Sequence, residues 1–193
     1  SILSGTTVWT RSYVFNALIS TTEKETGGIY SKRHLLPFGE YLPFHNYWPN
    51  FILGFINPFV GETEPGDENT ILIAAINEKE FAFLPTICYE IVFSNEVINS
   101  IQLLGFDNID AIVNVTNDSW FKDSAGPHQH LLAARLRAIE TGLPVLRSAT
   151  NGISAVIAPN GLVLKSLPFN YRGTIEHAMP QKLQATYYLQ FHY

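Results

Sequence analysis

A single thiol offers this chain covalent chemistry. Cys88 closes the apolar run Phe81-Ala-Phe-Leu-Pro-Thr-Ile and is followed by Tyr89-Glu90, then Ile91-Val92-Phe93. That pattern predicts a strand breaking sharply into a helix, with the sulfur exposed at the bend and the helix N-terminus favouring the thiolate. The competing explanation is a buried structural cysteine, because free cysteine behaves as a small hydrophobe. A second reactive group is Lys32, in Tyr30-Ser-Lys-Arg-His-Leu-Leu-Pro-Phe-Gly-Glu-Tyr-Leu-Pro43. Alone, a lysine at a strand end is usually a solvated edge charge. Here Pro37, Gly39 and Pro43 bend and stiffen the backbone and fix Glu40 eight positions after the lysine. Glu40 could orient Lys32, act as a base, or cap a turn.

Asn114-Val-Thr-Asn-Asp-Ser-Trp-Phe121 follows a buried apolar strand. Polar groups at the carboxyl end of such a strand are where α/β folds place ligand contacts, although Asn and Asp also make turns and caps routinely. His128 and His130 do not read as a metal site, since on a helix their rings point about 200° apart. Neither a metal nor a cofactor is expected. Arg135, Arg137 and Glu140 mark a helix face able to pair with polar groups in the core.

The elements that must position these groups read as follows. Extended segments are predicted at Ile2–Trp9, Tyr13–Ser20 and Gly28–Leu35, with Gly27-Gly28 as the turn before the third. Residues 41–61 lack a charged side chain and hold Phe44, Tyr47, Trp48, Phe51, Phe55 and Phe59, interrupted by three prolines and Gly54. They cannot form one long helix. A polar acidic loop, Gly61–Asn69, comes next. Beyond it strands and helices alternate: strands at Ile71–Ile76 and Glu80–Ile87, a helix at Asn95–Leu104, and a buried strand at Ala111–Val115. A helix at Pro127–Thr141 is expected to stop at Gly142 and to carry His130, Leu131, Ala134, Leu136, Ala138 and Ile139. Strands at Val145–Ser148, Ser154–Ala158 and Leu162–Leu164 complete an α/β layered sandwich.

Composition sets the outer limits. The 193 residues suit one α/β domain. A net charge of -5 with no basic run longer than Lys32-Arg33 argues against a nucleic-acid partner and against electrostatic capture by anionic lipid. Aromatics make up 13% of the chain, more than a core of this size usually needs, which leaves some for a surface meeting apolar material. No run approaches the roughly 18 to 20 apolar residues that cross a bilayer. The first residues do not read as a signal peptide.

These strings together resemble one family. Lys32-Arg-His34-Leu-Leu-Pro-Phe-Gly-Glu40-Tyr-Leu-Pro43, Ile87-Cys88-Tyr89-Glu90-Ile91 and Asn117-Asp118-Ser119-Trp120-Phe121 are similar to the apolipoprotein N-acyltransferases. So are Gln129-His130, Ala134-Arg135, Arg137-Ala138, Glu140 and Arg147-Ser148 with Asn151-Gly152-Ile153-Ser154. The resemblance runs from Asn16 to about Gly161. It implies a nitrilase-type αββα sandwich, incomplete at the N-terminus, with residues 1–193 forming the larger C-terminal part of one catalytic domain. It also implies a bacterial inner-membrane protein whose domain faces the periplasm. Carried over, Cys88 is the nucleophile and Lys32 the catalytic lysine; Glu40, Tyr89, Glu90 and Asn16 fall on positions important for activity, and Trp120 on a supporting one. The family's general-base glutamate lies upstream on a Pro-Glu motif that this sequence lacks. The expectation is therefore a fragment, inactive by itself.

The implied reaction moves an acyl chain from a phospholipid to the amine of a lipoprotein's N-terminal diacylglyceryl-cysteine through a thioester. Lys32 and a backbone N–H near Tyr89 would stabilise the oxyanion. Residues 41–61 are the expected contact with acyl chains or the membrane surface. Two other readings stay open: a soluble carbon–nitrogen hydrolase using the same residues, and a non-catalytic module in which Cys88 is merely buried.

Overall fold

The computed structural model describes residues 1–10, 13–21, 26–44, 47–49, 51, 63–76 and 79–192. Three antiparallel strands come first: β1 (Ile2–Trp9), β2 (Val14–Thr21) and β3 (Thr26–Ser31), in the order β1-β2-β3. A second sheet holds β4 (Leu72–Ile76), β5 (Lys79–Ile87), β6 (Ala111–Asn117), β7 (Val145–Thr150), β8 (Ser154–Ile157) and β9 (Val163–Leu167), ordered as in the chain. Strands β5, β6 and β7 run parallel; the outer strands are antiparallel. Among the described residues the named helices are α1 (Ser94–Leu104), α2 (Gly126–Thr141) and the short α3 (Tyr187–Phe191).

Side-chain alternation on β5 and β6 decides the layering. Phe83, Ile87, Ala111 and Val113, with Leu72 of β4, face β2 and β3, where they pack with Leu18 and Tyr30. Leu84 and Ile112, one step out of phase, face the helices and pack with Ile98, Ile101, Ala134 and Ala138. Because both faces of β5 and β6 are covered, these strands read as continuous apolar runs rather than alternating ones. The described layers are thus helix, six-stranded sheet and three-stranded sheet, a mixed α/β sandwich as expected.

Two local expectations need correcting. The third strand spans Thr26–Ser31, not Gly28–Leu35: Gly28 pairs with Ser20 inside the sheet, and beyond Ser31 the N–H groups of Arg33 and His34 turn to the Glu90 carboxylate. Helix α2 buries Pro127, His130, Ala134, Arg137, Ala138 and Thr141 and leaves Leu136 and Ile139 exposed. Two alanines let the helix lie close to the sheet; among its buried polar residues His130 has partners on Asp118 and Cys88, and Arg137 reaches Glu140 one turn on. Most of residues 41–61, including Phe55 and Phe59, lie outside the described residues.

Helix α2 opens with Pro127 in its first turn, where a missing N–H costs nothing. It ends at Gly142, which has φ +80° and donates to Ala138. A Cβ at Gly142 would sit 2.6 Å from the Gln184 carbonyl oxygen. Gly142→Ala is expected to lower the unfolding free energy by at least about 1 kcal/mol, read by urea titration, with helical circular dichroism retained.

Candidate active site

Cys88 sits where β5 stops. Its φ of 54° is left-handed, which for a non-glycine residue costs about 1–3 kcal/mol and persists only where the surroundings enforce it. A short 3-10 turn, Cys88–Val92, follows, and the long helix begins only at Ser94. The sharp strand-to-helix bend is as expected; the element it opens is a single tight turn. The Cys88 side chain is half-buried and the thiol is free.

Glu90, two residues on, is 4% exposed and ties three pieces of chain together. One carboxylate oxygen accepts from the backbone N–H groups of Arg33 (2.7 Å) and His34 (3.0 Å). The other accepts from the N–H of Ile87 at 2.7 Å, which closes the turn under Cys88. The Tyr30 hydroxyl donates to the same carboxylate at 3.0 Å. Burial pushes the Glu90 carboxyl above the usual range, while the bonds from His34, Ile87, Arg33 and Tyr30 pull it back down. Every one of these partners is a donor, so the arrangement is made for the carboxylate. Burial and the neighbouring Glu90 charge raise the Tyr30 phenol far above its ordinary value, keeping it a donor.

The clamp joins the residue before Cys88 to the residue after Lys32. Lys32 is only 1% exposed, and its Nζ lies 2.5 Å from Glu40 Oε2. The same oxygen accepts from the N–H of Leu36 at 2.8 Å, and Oε1 accepts from Asn16 Nδ2 at 2.7 Å. Glu40 thus aims the lysine and closes the 36–40 turn at once. Asn16 also accepts from the Lys32 N–H through its own carbonyl, at 2.7 Å. On the far side Gly66 donates to the Lys32 carbonyl at 2.8 Å, and a Cβ there would lie 2.5 Å from the Ser31 carbonyl oxygen.

A third cluster lies between the sheet and α2. Asp118 sits with His130 Nδ1 3.0 Å from one oxygen and Arg147 Nη2 2.7 Å from the other. Thr116 donates to it at 2.9 Å. Arg147 Nη1 donates to Asn114 Oδ1, whose amide Nδ2 is 3.1 Å from the Thr86 hydroxyl. All of these side chains are buried. Burial pushes the Asp118 carboxyl up, but the bond to His130 and the charges of Arg147 and His130 outweigh it and hold it below the usual carboxylate range. Gly152 completes the packing: a Cβ there would fall 2.3 Å from Asp118 Oδ2.

Of the residues singled out in the sequence, Asn16, Lys32 and Glu40 form one hydrogen-bonded unit, and Cys88, Tyr89 and Glu90 form a bend that Glu90 ties to the residue after Lys32. Tyr89 packs against Phe93 and leans on His130. Trp120 is not drawn in: it is 77% exposed on the turn after β6, and its neighbour Phe121 meets the His130 ring edge-on. The polar string at the end of β6 divides in two. Asn117 makes the ordinary turn, accepting from Ser119 N–H and hydroxyl, whereas Asp118 enters the core. His128 is exposed and His130 buried, in keeping with their opposed directions on the helix. Among the described residues no three His, Cys, Asp or Glu side chains gather as a metal site. The Asp118–His130–Arg147–Asn114 cluster was missed as a unit; a His and an Arg at inward positions of an otherwise apolar helix and strand were the available signal.

The carbon-nitrogen hydrolase profile matches residues 3–188. The chain belongs to that family. A carbon-nitrogen hydrolase from Helicobacter pylori G27 shares the fold, with a TM-score of 0.62 at 13% identity over 86% of this chain and 57% of that one. Among curated relatives, an apolipoprotein N-acyltransferase of Sinorhizobium fredii is 40% identical over 156 residues, 81% of this chain and 28% of its own length. One of Rickettsia prowazekii is 39% identical over 165 residues, 84% of this chain and 31% of its own length. This member of the family thus spans less than a third of the length of those relatives.

The depressed Asp118 carboxyl makes stability depend on pH. A group with a lowered folded value contributes fully above its ordinary value of 3.8, and the contribution fades as pH falls through the lower folded value. Unfolding free energy measured by urea titration from pH 6 to about pH 2 should therefore fall on the acid side. Asp118→Asn should flatten the Asp118 part of that slope and cost about 3–5 kcal/mol at neutral pH by leaving Arg147 buried without a counter-charge.

Proposed function

We propose that this chain is the catalytic part of an N-acyltransferase that passes a fatty acyl group from a phospholipid to the N-terminal diacylglyceryl-cysteine amine of a bacterial apolipoprotein. The observation that carries the reading is the Glu90 clamp. It ties the residue before the only cysteine to the residue after a buried lysine whose amine is aimed by Glu40, itself held by Asn16. The relatives named as apolipoprotein N-acyltransferases support the choice of substrates.

In the first half-reaction the Cys88 sulfur adds to the ester carbonyl carbon and the carbonyl electron pair moves to oxygen. The Lys32 ammonium and the Tyr89 N–H meet that oxyanion. The tetrahedral adduct collapses, the carbon–oxygen bond to the glyceryl group breaks, and the lysophospholipid leaves with the thiol's proton. In the second half-reaction the acceptor amine adds to the thioester and the carbon–sulfur bond breaks. An amide forms, and the amine's proton returns to the sulfur. With both Glu40 oxygens held by donors, its role here is to position Lys32. The protein works at the bacterial inner membrane with this domain on the periplasmic side. Among the described residues no helix is long and apolar enough to cross a membrane.

With donor phospholipid alone, the full-length protein should gain the mass of one acyl group on Cys88, released on adding a diacylated lipopeptide with a free N-terminal amine. Cys88→Ala should remove the adduct and at least about a thousandfold of turnover, and Lys32→Met should cost roughly 100- to 1000-fold while leaving the fold intact. Hydrolysis of simple amides with no adduct and no transfer to an amine would instead favour the family's hydrolase chemistry.

Residues 41–61 we assign to the membrane surface. Phe44, Tyr47 and Phe51 are 77%, 86% and 80% exposed, a concentration of aromatic rings that suits a bilayer interface. In a protein with Trp9 and Trp120 changed to Phe, Trp48 emission should shift to the blue on adding phosphatidylethanolamine–phosphatidylglycerol vesicles. An unchanged spectrum at saturating lipid removes the assignment.

A further inference from the structure

The buried cluster on α2 and β7 takes no part in the chemistry just described, yet it reaches the nucleophile. The backbone carbonyl of Cys88 lies 3.1 Å from His130 Nε2 and 3.2 Å from Asn114 Nδ2. A carbonyl oxygen can only accept, so Nε2 of His130 carries a proton and donates it. Both donors are themselves held. Arg147 fixes the Asn114 amide through Oδ1, and Asp118 and Arg147 flank Nδ1 of His130. Two anchored donors on one oxygen explain how a left-handed cysteine is kept in place.

The geometry has a chemical result. The peptides of this chain are trans where described, so the N–H of residue 89 points opposite to the carbonyl of residue 88. With that carbonyl turned into the cluster, the Tyr89 N–H is turned out of it. As a first-turn N–H of the 3-10 segment it has no partner within the turn. We infer that His130 is a positioning residue: it sets the plane of the Cys88–Tyr89 peptide so that the Tyr89 N–H meets the oxyanion of the acyl adduct. Asn114 is the second anchor of the same oxygen. The inference rests on Cys88 being the nucleophile.

Two reactions of the same sulfur separate this role from a structural one. Acylation by phospholipid passes through an oxyanion; alkylation by iodoacetamide displaces iodide and forms none. His130→Phe keeps a ring in the cavity and removes the donor, whereas His130→Gln offers an amide N–H in its place. In the full-length protein, His130→Phe should slow single-turnover acylation roughly a hundredfold while alkylation at the same pH stays within about threefold of the parent. His130→Gln should recover at least about tenfold of the lost acylation rate.

Equal loss in both reactions, acylation at the parent rate in the Phe variant, or a folded Gln variant as slow as Phe would each overturn the inference. If the Phe variant does not fold, the Gln variant decides alone. Acylation within about tenfold of the parent supports the role, and a hundredfold loss with unchanged alkylation-competent fold overturns it. A parent protein that never carries an acyl group on Cys88 would remove the nucleophile assignment and this inference together. An acylated parent with an indifferent Phe variant removes this inference alone.

Discussion

The Glu90 carboxylate is the constraint on which the site depends. Four donors from three parts of the chain converge on its two oxygens: the Tyr30 hydroxyl at the end of β3, the Arg33 and His34 N–H groups just past it, and the Ile87 N–H at the end of β5. The Arg33 and His34 N–H groups lie beyond the end of β3 and the Ile87 N–H is on the last residue of β5, so without the carboxylate these donors would need other partners. The carboxylate satisfies them all and, in doing so, fixes the spacing between two strands in different sheets. Strand β3 lies in the three-stranded sheet and β5 in the six-stranded one. The site is therefore built at a seam between sheets, where a buried charge adds hydrogen bonds at the strand ends to the apolar packing of Tyr30 and Ile87. Such a charge is costly to bury and is tolerated only because its partners are complete.

Around this clamp the two side chains proposed for the chemistry are supported in different ways. Lys32 is held by its own terminal charge, through Glu40 and behind it Asn16. Cys88 is held by its backbone, through φ 54° and two donors on its carbonyl. The difference suits the groups. A long flexible amine needs its end located, whereas a short thiol is located as soon as its Cα is. The Asp118–His130–Arg147–Asn114 cluster extends the second kind of support into the layer between sheet and helix, so the position of the sulfur is referred to α2 as well as to β5.

Much of this could be read in advance. The breaks at Pro37, Gly39 and Pro43 marked a rigid turn that fixes Glu40 but left open whether it orients Lys32, acts as a base or caps the turn; it contacts Lys32 and closes the turn. The apolar run into Cys88 announced the bend. Helices and parallel strands in the second half were legible within a few residues because their periodicity and stops are local signals, as with Gly142. Three things were not. The end of β3 depended on a carboxylate 57 residues further along competing for the Arg33 N–H. On the inward face of α2, His130, Ala134 and Ala138 are buried as the periodicity predicts, whereas Leu136 and Ile139 are exposed and Arg137 is buried in their stead, because the helix meets the sheet through its alanines. The Asp118 cluster joins residues up to 33 apart in sequence, so an inward His or Arg marks a member of it without naming its partners.

Pairing Lys32 with Glu40 at 2.5 Å also shapes what the site looks like from a distance. Ammonium and carboxylate so close together present a dipole, and a dipole's field dies away faster than that of a lone charge. The chain as a whole carries a net charge of -5, so its overall field does not favour the approach of an anion. Positive character is felt only by an atom already in contact with the amine. Molecules must then be gathered by some other attraction, and the ammonium discriminates only among those that have already arrived.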